Sequence, residues 1–113
     1  MRQKISDSEY NELLEFFASQ LNYEADDLHS PIEPLTYKNP EGDSCLHIAA
    51  HTGNYRAVEI LLKAGLDVNQ TGDMGSTALH YANMKNNDDI IKLLIDHGAS
   101  TELRNEFGKL PLE

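Results

Sequence analysis

A chain of 113 residues holds one domain with a modest core, so any function rests on a single compact unit. Its 40% hydrophobic and 25% charged residues sit near the soluble globular average and exclude a disordered or fibrous chain. Nine Lys and Arg against 19 Asp and Glu leave a formal charge of −10, a field that repels nucleic-acid phosphates and anionic membranes. That charge serves solubility as readily as it favours a protein partner with a basic surface. No apolar run reaches membrane-spanning length and the first residues are polar, so a cytoplasmic protein is expected, with no nucleic-acid or membrane binding. The lone Cys45 excludes an internal disulfide and any cysteine-built metal cluster.

Taken in chain order, the first expected element is a helix over residues 6–21. Ser6 with Glu9 forms a capping-box signature, and Tyr10, Leu13, Leu14, Phe17 and Leu21 make one apolar stripe. Residues 22–38 contain Pro31 and Pro34 among acidic side chains and read as a connecting segment, with Leu28, Ile32, Leu35 and Tyr37 available for packing.

From residue 39 the chain repeats itself every 33 residues. Gly42, Gly75 and Gly108 hold this spacing, as do Leu46, Leu79 and Leu112; His47 pairs with His80, Ala49 with Ala82, Leu61 with Leu94 and Gly65 with Gly98. Within the first unit, Leu46, Ile48, Ala49 and Ala50 predict a short helix, Gly53 a left-handed turn, and Val58, Leu61 and Leu62 a second helix. The second unit repeats the plan, with Asn86 at the turn and Ile90, Ile91, Leu94 and Ile95 as the second apolar stripe. Gly65 and Gly98 are placed to end the second helices. Asp88 and Asp89 suit the positive end of a helix.

The segments Gly42-Asp-Ser-Cys-Leu-His-Ile-Ala49 and Gly75-Ser-Thr-Ala-Leu-His-Tyr-Ala82 resemble the signature of the ankyrin-repeat family. The resemblance implies an all-α fold, a stack of helix-turn-helix units with hairpin loops, here with an N-terminal capping helix. The expected division is 1–38 for the capping helix and connecting segment and 39–113 for the repeats: 39–71, 72–104 and a partial third at 105–113. In that third unit Leu110 stands where the family pattern has threonine. Each unit bares an apolar face that only a neighbour can cover, so the stack is stable as a whole and its ends need caps.

Two constellations invite a chemical reading. His47 and His51 lie four apart with Cys45 nearby, yet the segment lacks the glutamate of a zinc-protease helix and a third ligand, so no metal site is expected. A Cys45–His47 pair lacks an orienting acid and oxyanion donors, and Gly72-Asp-Met-Gly75 matches no phosphate-binding loop; neither a catalytic site nor a cofactor is expected. The family resemblance gives His47 and His80 a structural role, tying the helix start to hairpin backbone and to the hydroxyl of Ser44 or Thr77.

The resemblance also implies where a protein partner docks, on the hairpin tips and the exposed side of the first helices. In the first unit these positions are Glu41, Asp43, His51 and Thr52; in the second, Thr71, Asp73, Met74, Ser76, Met84 and Lys85; in the third, Arg104, Glu106, Phe107 and Lys109. Met74 and Phe107 occupy equivalent tips and either anchor a partner or pack on each other, while Tyr55 and Tyr81 are assigned to core or cap. The expected function is a non-catalytic binding module, monomeric when unbound, one version being an immunity or inhibitor protein against a basic toxin such as a nuclease. A structural scaffold or assembly subunit is the alternative.

Overall fold

The structure, a computed structural model, describes residues 4–21 and 33–113, without the side chains of residues 19–21. Among these residues five α-helices follow in order: α1 (Asp7–Leu21), α2 (Cys45–Thr52), α3 (Tyr55–Lys63), α4 (Ala78–Met84) and α5 (Asp88–Asp96), with a tight helical turn at Asp73–Gly75. There is no strand among the described residues; one antiparallel bridge joins Lys38 to Ser44. The helices form two rows. α2 packs on α4 in an inner row, α3 on α5 in an outer row, and α1 extends the outer row by lying against α3.

Local chemistry fixes each helix. α1 starts with a complete capping box: Glu9 N–H donates to Ser6 Oγ at 3.0 Å, and Ser6 N–H donates to Glu9 Oε1 at 2.9 Å. α3 and α5 are capped by Asn54 and Asn87, whose side-chain oxygens accept from Ala57 N–H (3.0 Å) and Ile90 N–H (3.1 Å). Gly53 closes α2 in the left-handed conformation at φ 82°, and Asn86 takes the matching turn at φ 56°.

The rows meet over a single core. Leu46, Ala49 and Ala50 of α2 face Leu79 and Ala82 of α4, all without exposed surface, and the alanines let these short helices approach closely. Val58, Leu61, Ile90 and Leu94 fill the outer row, where Leu13 and Phe17 of α1 complete it. Phe16 sits off the expected stripe but packs against the core and edge-on to Phe17, whereas Leu14 is only half-buried; Leu21's side chain lies outside the described residues. A second correction falls on α5, where Leu93 rather than Ile95 is buried, Ile95 being 40% exposed.

Ion pairs lock α1 onto α3. Arg56 donates through Nε and Nη2 to both oxygens of Glu12 at 3.1 Å, and Lys63 Nζ reaches Glu9 at 2.9 Å. The Tyr10 hydroxyl donates to the Glu33 carboxylate, tying α1 to a turn in which Pro34 is buried and Leu35 and Tyr37 pack on the core. Leu28 and Ile32 of the connecting segment lie outside the described residues.

The third unit forms its hairpin, with Asn105 N–H donating to the Lys109 carbonyl at 3.0 Å, and then a turn at 111–112. Leu112, in phase with the fully buried Leu46 and Leu79, is 44% exposed, because no further helix pair covers it among the described residues.

Candidate protein-docking surface

The concave side is built from the hairpins and the inner helices, and its rigidity begins with the two in-phase histidines. Ser44 N–H donates to His47 Nδ1 at 3.0 Å, so the ring proton sits on Nε2 and donates to the Gln70 carbonyl at 3.0 Å. His80 repeats this with Thr77 N–H (3.0 Å) and the Lys109 carbonyl (3.0 Å), and the Ser44 and Thr77 hydroxyls lie 2.9 Å from the Nδ1 atoms. His47 thus staples the start of α2 to backbone at the end of its own unit, and His80 staples the start of α4 to the hairpin of the following unit. Burial holds the His47 imidazole below its ordinary value, against the opposing pull of the Gln70 carbonyl and Asp43.

The hairpins are also joined directly. Hairpins one and three use their own asparagines: Asn39 Oδ1 accepts from Asp43 N–H at 2.8 Å, and Asn105 Oδ1 from Phe107 and Lys109 N–H at 2.9 and 3.1 Å. Hairpin two has Gly72 at that position, without a side-chain acceptor, and its Asp73 N–H donates to Asp43 Oδ1 of the preceding hairpin at 2.9 Å. A Cβ on Gly72 would lie 2.2 Å from this Asp43 Oδ1, so the glycine is required by close approach. Glu106 N–H then donates to the Met74 carbonyl at 2.9 Å, linking hairpin three to hairpin two. Met74 itself is held left-handed at φ 57°, a conformation costly for a side chain of this kind.

Most of the expected docking positions are accessible. Met74, Met84 and Phe107 are 49%, 61% and 69% exposed, so Met74 and Phe107 do not bury one another. Glu41, His51, Thr52, Thr71, Lys85, Arg104, Glu106 and Lys109 are exposed, and Asp43 and Asp73 half-buried. Some are partly engaged: Thr52 Oγ1 donates to the Ala49 carbonyl at 3.2 Å, and Arg104 to the Gly108 carbonyl at 2.7 Å. Ser76 is a correction. It is 6% exposed, because its carbonyl closes the hairpin by accepting from Gly72 N–H at 2.8 Å, which turns the residue inward beside His47.

The structure gathers Asp43, His51 and Asp73 around one groove of about 300 Å³, which Asn39, His47, Ile48 and Tyr81 also line. A second groove, about 180 Å³, lies one unit further along and is lined by Met84, Lys109 and Asn83 among others. Tyr81, expected in core or cap, does pack against the core. It is also half-buried at the groove, stands edge-on to His47 and His51 at 5.8 and 5.6 Å between centroids, and donates its hydroxyl to Asp43 Oδ1 at 2.8 Å. Its position matches Ile48 in the first unit, and a tyrosine replacing an isoleucine in phase is a signal that a hydroxyl partner is near. Tyr55, also assigned to core or cap, is 44% exposed and lines a separate notch with Asp89, Lys92 and Asp96 on the outer row.

The chemical alternatives have little to work with. Cys45 is fully buried and its thiol is pushed up to about 12, by burial first and by Glu33 second. Both ring nitrogens of His47 are occupied by Ser44 and Gln70. Among the described residues no three His, Cys, Asp or Glu side chains could share a metal ion, and no helix is long and apolar enough to cross a membrane.

The family model for ankyrin repeats in three copies matches residues 6–105. The chain belongs to the ankyrin-repeat family. The match begins at the N-terminus of α1, in keeping with that helix occupying the outer-row place of a preceding ankyrin unit. Human protein phosphatase 1 regulatory subunit 27 is 38% identical over 73 residues, which cover 65% of this chain and 47% of that protein. Human ankyrin repeat and SOCS box protein 3 is 34% identical over 142 aligned positions, covering 96% of this chain and 26% of the relative. A putative ankyrin repeat-containing protein of Treponema pallidum is 37% identical over 79 residues, 70% of this chain and 26% of its own length. The chain therefore spans less than half the length of each of these ankyrin relatives.

Proposed function

We propose that this chain is a non-catalytic binding module that grips a protein partner on its concave side. The observation that carries the proposal is the exposure of Met74 and Phe107, set among charged side chains on hairpins that are hydrogen-bonded to one another, with Met84 exposed at the end of α4. Large adaptable side chains on a rigid support lose little freedom on binding, which is what an interface anchor needs. A relative that is a phosphatase regulatory subunit is in keeping with action through docking rather than chemistry. The formal charge of −10 favours a partner with a basic surface by raising the encounter rate. A protein that covers a basic toxin is one form such a module takes.

The test is capture of partners from the native host at low salt, followed by affinity measurement with Met74→Asp and Phe107→Asp. Each substitution is expected to weaken binding at least roughly tenfold while leaving the melting temperature unchanged. Unaltered affinity in both variants would remove these anchors from the interface. Light scattering on the purified chain separates a further possibility: a homo-oligomer that covers Met74 and Phe107 would make this a scaffold subunit, whereas a monomer agrees with the binding module.

A further inference from the structure

We propose that the groove between hairpins one and two receives an arginine side chain of the partner. This deepens the docking function proposed above and rests on it. Three features of the groove converge. Asp43 and Asp73 bring two carboxylates to one rim, and among the described residues the Asp73 carboxylate takes no hydrogen bond. Tyr81 and His51 form an aromatic pair that also lines the groove, their ring planes 88° apart and the Tyr81 hydroxyl touching Asp43. The volume of about 300 Å³ is open to solvent on one side and admits a single long side chain rather than a helix.

A planar guanidinium is the group that satisfies all three at once. It donates several hydrogen bonds to carboxylates, lies against an aromatic surface, and sheds water more readily than an ammonium group does. A lysine would meet the carboxylates as a point charge without the flat contact. Among the described residues no lysine or arginine lines the groove. Asp43 is already oriented by the Asp73 N–H and the Tyr81 hydroxyl, so its free oxygen needs no rearrangement to receive a donor. Met74, next to Asp73 in the chain, is 49% exposed, so the partner segment carries an apolar side chain beside its arginine.

The probe is the blocked tripeptide acetyl-Gly-Arg-Gly-amide, compared with its citrulline and norleucine counterparts, each titrated into isotopically labelled protein and followed by amide chemical shifts. The arginine peptide is expected to move Asp43, His51, Asp73 and Tyr81 together and saturably. Citrulline, equal in shape but uncharged, should bind roughly tenfold more weakly, and Asp73→Asn should weaken the arginine peptide by a similar factor while the remaining shifts of the free protein stay in place. Equal binding of arginine and citrulline would overturn the proposal. So would shifts scattered over acidic residues of the outer row, or their absence up to millimolar peptide. Should the norleucine peptide occupy the groove and the arginine peptide not, the cation site falls and the docking face stands. Loss of partner affinity in Met74→Asp and Phe107→Asp reports on that face independently.

Discussion

Asp43 and Tyr81 are 38 residues apart in sequence, yet the tyrosine hydroxyl donates to Asp43 Oδ1 at 2.8 Å, and the same oxygen accepts from the Asp73 N–H at 2.9 Å. One carboxylate oxygen thereby joins hairpin one, hairpin two and α4. Tyr81→Phe should cost about 1 kcal/mol, the net worth of a half-buried hydrogen bond, and Asp43→Ala about 2 to 4, since it leaves two donors without their acceptor. Urea denaturation of both single variants and the double variant measures the coupling. If Tyr81→Phe costs as much without Asp43 as with it, the bond contributes nothing to stability.

Gly72→Ala should destabilise by about 1 to 3 kcal/mol, because the added methyl would lie 2.2 Å from Asp43 Oδ1. The φ of Gly72 is −117°, so the effect is steric rather than a matter of handedness. In an Asp43→Ala background the same change should cost much less. Equal cost in both backgrounds would place the strain elsewhere.

Stability should fall on mild acidification through His47. Its folded-state value lies below the ordinary 6.5, chiefly from burial, so between the two values the unfolded chain binds the proton and the folded chain does not. The contribution is complete above about pH 6.5 and is lost as pH falls toward the folded value, at no more than about 1.4 kcal/mol per pH unit for one proton. Glu9 and Glu12 act in the same direction at lower pH. Glu9 is held below 4.5 first by the Ser6 backbone, and Glu12 by Arg56, so their support is present above that value and is lost beneath it. Denaturation midpoints at pH 7.5 and 5.5 isolate the histidine; a flat profile between them would contradict the assignment.

Phe17→Ala in α1 should cost about 3 to 5 kcal/mol, and Leu79→Ala in the inner row about 2 to 5, both side chains being almost wholly buried. If α1 were an appendage, Phe17→Ala would leave the main thermal transition where it is and produce a separate early one. A single transition shifted downward is expected.

Cys45 should resist thiol reagents in the native protein and react only as fast as the protein unfolds, given its burial and a thiol pushed up to about 12. Titration with a chromogenic disulfide, with and without denaturant, measures the ratio. Fast native reaction would mean that the start of α2 opens locally.

The repeat plan was legible because stacked units impose the same backbone demands at a fixed interval. Gly42, Gly75 and Gly108 must all take positive φ, and His47 and His80 must both cap a helix and reach a backbone carbonyl further along the chain. The capping box at Ser6 and Glu9 was legible for a similar reason, being a contact between near neighbours in sequence. Side-chain facing was less so. An apolar stripe has two edges, and which edge is covered depends on where the neighbouring helix lies; hence Phe16 in place of Leu14, and Leu93 in place of Ile95. The candidate groove was only half legible. Asp43, His51 and Asp73 followed from the family's docking positions, whereas Tyr81 entered through a bond to another repeat that no spacing rule announces.

Hairpin two draws its backbone acceptor from Asp43, outside its own repeat. Residues 72–104 are consequently not an interchangeable brick. Transplanted behind a unit lacking an acid at the equivalent site, they would bring their helices and lose the aim of Met74, so any shuffled or shortened version of this stack must keep the pair of repeats together.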